Sequence, residues 1–136
     1  MTHTSDVRER ASLLRARIGT ALSTIAVLFL LFDSSGKLLK VAPVVAGTAE
    51  LGYPESVIRT LGVILLLCVV TYLVPRFSIV GAVLLTGYLG GAVATHVRVG
   101  SPLLTHVLFP IYVAAFIWLG LWLRDVRLRR LFVASA

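Results

Sequence analysis

The sequence predicts an all-α fold, a four-helix transmembrane bundle with a short interfacial or re-entrant segment between helices 1 and 2. Three observations predict it. The mean hydropathy is +0.96 and 58% of the 136 residues are hydrophobic, more apolar surface than a soluble domain of this size can hide. The apolar residues gather in four runs, each close to the roughly 20 residues a helix needs to cross hydrocarbon. The basic residues behind the net charge of +7 flank these runs and form no stripe on a soluble face, so the chain does not read as a nucleic-acid binder despite a pI near 10.5.

The first run covers residues 18 to about 38 and ends in DSSGK. A basic leader before an apolar core is also the shape of a signal peptide, but DSSGK stands where a small-x-small cleavage site belongs. The stretch VAPVVAGTAELG, residues 41–52, is too short to span and carries Pro43 and two glycines. It is expected to be an interfacial or re-entrant half-helix. Pro54 then opens the second run, residues 56–74, in the first turn, where proline is favoured. Only Pro75, Arg76 and Phe77 separate it from the third run, residues 78–97, so these two helices are antiparallel neighbours. Ser101-Pro102 starts the fourth run, residues 103–123. The division expected is a basic cytoplasmic segment 1–17, a four-span membrane domain 18–123 and a basic cytoplasmic tail 124–136.

Charge sets the expected direction. Arg8, Arg10, Arg15, Arg17, Arg76, Arg124, Arg127, Arg129 and Arg130 fall on one side after four crossings, nine of the thirteen Lys and Arg. Positive-inside places that side, with both termini, in the cytoplasm. Tyr72, Phe77, Trp118 and Trp122 lie near the same ends, where an aromatic belt belongs.

The third run contains TGYLGGAVATHVRVG. Gly87 and Gly91 have the GxxxG spacing, with Gly90 between them. Small residues let helix backbones approach where lipid gives no hydrophobic reason to associate. These three glycines are the expected helix-packing face, within the bundle or between two copies. At about 100° per residue, Arg98 returns to within about 20° of Gly87, while His96 faces the opposite way, with Tyr88.

Most remaining polar residues converge on the outer end. Asp33 and Lys37 end the first span, Arg59 begins the second, His96 and Arg98 end the third and His106 begins the fourth. With Tyr88, these are the candidate ligand-binding residues. Asp33 and Arg59 both fall about 9 Å beyond the midplane at about 1.5 Å per residue, so an ion pair between them is expected, with Arg98 as an alternative partner for Asp33. Pro110, inside the fourth span, cannot donate to the His106 carbonyl and allows a kink. His96 and His106 with one aspartate give no metal-ligand spacing, and no nucleophile triad, phosphate loop or metalloprotease signature is present. Cys68 is the single cysteine, which rules out an internal disulfide.

The residues LFDSSGKLLK, AELGYPES, YLVPR, LLTGYLGGAVATHVRVG and WLGLWLRDVRLR resemble the DoxX-like family of small membrane proteins over about residues 30–129. The resemblance implies a four-helix bundle in a bacterial inner membrane. Some relatives are associated with quinone-coupled thiosulfate oxidation and with membrane redox complexes. It also marks a departure, because Leu65 stands where the family pattern often has a glutamate in the second span.

Two readings of function follow. In one, the protein is an accessory subunit of a membrane redox system and binds a quinone or another small hydrophobic ligand at its outer polar cluster, with a membrane or soluble redox partner. In the other, it is a structural or scaffold protein whose cluster only locks the bundle. A small transporter fits less well, because no repeat is detectable and the polar groups keep to one leaflet. No catalytic motif makes it an enzyme by itself. The lipid bilayer, and a second copy through the glycine face, are the other expected partners.

Overall fold

The computed structural model describes residues 2–133, with side chains from Ser5 onward. The described residues form α1 (Thr2–Leu38), α2 (Ala42–Glu50), α3 (Glu55–Leu73), α4 (Ser78–Arg98), a π-helical turn (Leu103–Val107), α5 (Phe109–Arg124) and α6 (Val126–Val133), with no strand among them. Four segments are long and apolar enough to cross a membrane: most of α1, all of α3 and α4, and the stretch Leu103–Arg124. The molecule is a multi-pass four-helix bundle. α1 lies against α3 and α5, and α4 lies against the same two, so α1 and α4 stand across the bundle from each other.

Three features go beyond the sequence expectation. The basic segment before residue 18 is helical, because α1 runs unbroken through it. The tail after residue 124 folds into α6. The fourth span does not kink at Pro110; it breaks there. A π turn ends at Val107, and Pro110 sits in the first turn of α5, where its missing N–H has no intrahelical partner to lose.

The end that carries the chain termini is tightly packed. Tyr72 is 1% exposed and donates its hydroxyl proton to the Ile117 carbonyl, 3.1 Å away. Ser23 Oγ, 2.8 Å from the Tyr72 hydroxyl oxygen, is therefore the donor in their contact. One phenol thus ties α1, α3 and α5. The Arg124 guanidinium lies over its ring, 5.2 Å from the centroid. Close backbone approach surrounds this knot. A Cβ on Gly81 would strike the Tyr72 backbone, and one on Gly120 would strike the Ser23 hydroxyl. Gly19 meets α5 at the same level, where a Cβ would sit 2.8 Å from the Gly120 carbonyl oxygen.

The packing role within the bundle expected of Gly87, Gly90 and Gly91 is corrected here, while the alternative, contact with a second copy, concerns a face this single chain leaves open. A Cβ at any of the three meets nothing within 4 Å. The reason is rotational. α4 buries Ser78, Gly81, Ala82, Leu85 and Leu89, a stripe on the opposite side of the helix from Gly87 and Gly90. The glycine that packs is Gly81, beside the tight turn.

α6 docks on this end. Asp125 accepts the Arg127 backbone N–H at 2.8 Å, capping the helix start, and its other oxygen meets the Arg127 guanidinium at 2.8 Å. Arg127 reaches on to the Pro75 carbonyl in the α3–α4 turn. Arg129 donates to the carbonyls of Trp122 and Leu123 at 2.9 and 2.8 Å, satisfying the end of α5. Leu128 is buried against the bundle.

The opposite, distal end is built from one repeated device. α1, α2 and α4 all finish in the same pair of backbone bonds, the Schellman arrangement. After α1 these are Val41 N–H to Gly36 O and Lys40 N–H to Lys37 O. After α2 they are Tyr53 to Thr48 and Gly52 to Ala49, and after α4 Ser101 to His96 and Gly100 to Val97. The motif needs a left-handed residue, which is Gly52 (φ 83°), Gly100 (φ 69°) and, with no glycine, Lys40 (φ 51°). Lys40 is held by an ion pair to Glu55 at 3.0 Å. These sharp ends fold α2 across the distal mouth of the bundle.

Candidate functional site

Beneath α2 lies a cavity of about 840 Å³. Its apolar inner wall is made by Leu30 of α1, Leu61 of α3, Leu89 of α4 and Val113 of α5. Gly87, Gly91 and Ala92 also line it, so the small residues of α4 leave room for the cavity where larger side chains would fill it. Phe29 and Phe109 stand on the wall in edge-to-face contact, centroids 5.0 Å apart.

Polar groups border the distal half. His96 ends α4 and His106 sits on the π turn, with ring centroids 5.7 Å apart and planes at 64°. The π turn explains their meeting. Its Val107 and Leu108 N–H groups bond five residues back, to Pro102 and Leu103, which widens the backbone just where His106 leaves it. Each imidazole uses Nδ1 locally, His96 with the Ser101 hydroxyl at 3.0 Å and His106 with the Thr105 hydroxyl at 2.8 Å. Among the described residues neither Nε2 has a protein partner, so each can give or take a hydrogen bond according to its tautomer.

Asp33 and Lys37 also line the cavity, one helical turn apart on α1, and they pair with each other. The pairing of Asp33 with Arg59 or Arg98 is corrected by this. Residues four apart on one helix already face each other, and Lys37 satisfies Asp33 without a second helix. Arg59 is exposed, borders no part of the cavity and makes no ion pair among the described residues. Arg98 lies outside the cavity as well. Its guanidinium donates to the Leu51 carbonyl at the end of α2 and lies over Gly52, where a Cβ would be 3.1 Å from Nη2. It braces the covering helix from the side. Of the seven candidate residues, Asp33, Lys37, Tyr88, His96 and His106 thus share the cavity, and Arg59 and Arg98 do not.

Sequence reasoning missed the cover. Val44, Thr48, Leu51 and Tyr53 of α2 and its exit line the cavity from the distal side. Thr95 gives its single hydroxyl proton to the Gly91 carbonyl at 2.9 Å, so Tyr53, 2.8 Å away, is the donor to Thr95. That bond latches the α2 exit to α4. A tyrosine directly before Pro54 was the available signal, since it marks a fixed turn carrying a large polar-tipped ring. Leu65, the departure from the family pattern, is 0% exposed in the bundle core and does not line the cavity. Among the described residues no three His, Cys, Asp or Glu side chains gather as a metal site.

Four spans, one packed end and one hollow polar end define a small helical membrane protein with a partly open cavity beneath a short helix. The chain belongs to the DoxX-like family, whose model matches residues 21–120. No curated protein and no solved structure matches it.

Proposed function

We propose that the distal cavity receives a small hydrophobic molecule with a carbonyl or hydroxyl head, of which a quinone is the leading example, and that the protein serves as an accessory subunit of a membrane redox system. One observation carries the ligand reading. The cavity of about 840 Å³ joins an apolar wall to a polar half in which two imidazoles keep Nε2 without a protein partner among the described residues. Ligand sites in proteins have this make-up, apolar for affinity with a few placed polar groups for orientation. His96 or His106 supplies the hydrogen bond to the head, Tyr88 stands on the wall between the His pair and the core, and the Asp33–Lys37 pair brings no net charge. The redox association rests on the family resemblance. The arginine bias supports a packed end on the cytoplasmic side, with the cavity then at the outer leaflet, and the family resemblance supports a bacterial inner membrane.

The test is a thermal-shift titration of the purified protein in detergent with decylubiquinone. The parent is stabilised, whereas His96→Ala keeps its unliganded melting temperature and loses the shift. A parent that gives no shift with any quinone tested removes quinone from the reading.

A second reading is favoured by a different observation. Among the described residues no fully buried side-chain polar atom lacks a partner, and at the distal end Asp33 pairs with Lys37 and Tyr53 with Thr95. In a scaffold protein that network serves only to fix α2. Asp33→Ala then strands Lys37 and costs about 1–3 kcal/mol, the range for an unsatisfied buried group, with no ligand effect in any variant.

A further inference from the structure

The first part of α1 projects past the bundle. Gly19 is level with the last turn of α5, and residues 5–17 continue the helix about 18 Å further at about 1.5 Å per residue. This stretch lies outside the family-matched residues 21–120. Its side chains are exposed except for the half-buried Ala16.

The exposed residues are ordered. At about 100° per residue, Val7, Ala11, Leu14 and Ile18 fall within about 60° of one another. Their spacing of four, three and four is that of a coiled-coil seam. Val7 is 54% exposed, Leu14 59% and Ile18 47%. Arg8 and Arg15 border the seam on one side and Arg10 and Arg17 on the other, where Asp6 sits beside them, while Glu9 and Leu13 lie on the far face. None of the four arginines has an ion pair among the described residues.

We propose that this projecting helix docks an acidic amphipathic helix of a partner protein, whose apolar seam covers Val7, Ala11, Leu14 and Ile18 and whose carboxylates pair with Arg8, Arg10, Arg15 and Arg17. Charge selects this occupant. A second copy in the same membrane arrives parallel, which sets Arg10 of one chain against Arg15 of the other, a like-charge contact at the positions that choose partners. A lipid surface is disfavoured by continuity, since α1 is one helix from Thr2 to Leu38 and carries this segment away from the headgroups along the axis of the span. The docking surface is independent of the distal cavity, at the other end of the molecule.

The experiment uses the full chain in phosphatidylcholine nanodiscs and a fluorescein-labelled three-heptad peptide with leucine at the seam and glutamate beside it. A matched peptide with lysine in place of glutamate is the control. The glutamate peptide binds saturably and the lysine peptide does not. Leu14→Asp and the Arg10→Glu, Arg15→Glu double variant each weaken binding by about tenfold or more, the scale of a lost charge pair or seam residue, with the melting temperature of the bundle unchanged. Absence of saturable binding, or equal binding by Leu14→Asp, overturns the proposal. Efficient disulfide dimers of Leu14→Cys would make a second copy the occupant and overturn it as well. So would loss of peptide binding when phosphatidylglycerol is added to the disc, which would make the occupant the lipid surface.

Discussion

At Gly81 one methyl group is enough to strike the Tyr72 backbone, whereas at Gly91, ten residues along the same helix, a methyl group meets nothing within 4 Å. Backbone cannot yield as a flexible side chain does, so Gly81→Ala is expected to cost about 1–3 kcal/mol by overpacking. Gly91→Ala should cost nothing and, with a better helix former in a helix interior, raise stability by about 0.5–1 kcal/mol. Unfolding of both variants in the same detergent checks the contrast, and equal loss in the two would mean that α4 packs by its other face. The example shows what was legible at this scale. The sequence displays a glycine-rich third span, but GxxxG spacing says only that a groove exists, not which neighbour fills it. Rotation of the helix decided that, and it is set by the bulk of Leu85 and Leu89 on the opposite side. The same limit applies to Asp33. Depth along the membrane could be counted from the sequence, but several cations shared that depth. Local geometry selected Lys37.

Among the elements, the spans were readable because each is a long apolar run with proline or glycine at its ends. The half-helix between the first two spans was readable too, from its shortness, Pro43 and two glycines, but its place over the cavity was not; α6 was not readable, since an eight-residue helix is below the length at which a pattern alone specifies a helix. Both exist through tertiary partners, α2 through Tyr53, Thr95 and Arg98, and α6 through Asp125, Arg127 and Leu128. The Asp125 contact gives α6 a pH dependence. Hydrogen bonding from Arg127 holds the Asp125 carboxyl below its ordinary range, against a smaller opposing effect of burial. A carboxyl depressed on folding stabilises above the ordinary value of about 4, and that contribution is lost as pH falls through the lower folded value. Asp125→Asn should therefore loosen α6 at neutral pH, seen as faster hydrogen exchange across residues 126–133. The difference from the parent should vanish in strong acid. An exchange rate that is the same in parent and variant at neutral pH would show that Leu128 burial alone holds the helix.

For the whole molecule, the division into a packed end and a hollow end is the main result, and it follows from where small and large residues fall. Gly19, Gly81 and Gly120 draw the helices together around Tyr72 at one end. Gly87, Gly91 and Ala92 leave space at the other. The orientation proposed from the arginines predicts that an impermeant thiol reagent added to intact cells modifies a cysteine placed at Ala46 and spares one placed at Arg76. The reverse pattern would invert the topology and move the cavity to the cytoplasmic leaflet. The polar convergence at one end was legible in the sequence, because four crossings fix which residues share a level. The cavity itself was not, since it depends on how far apart the helices stand.

Native mass spectrometry of the gently solubilised protein tests the cavity reading most directly. The parent should carry a small hydrophobic molecule released only on activation. Gly91→Leu, which builds side-chain bulk into the cavity wall without touching the bundle core, should fold normally and lose that adduct. A parent that carries no small molecule, or a Gly91→Leu variant that carries the same adduct as the parent, would contradict the assignment of the cavity as a ligand site.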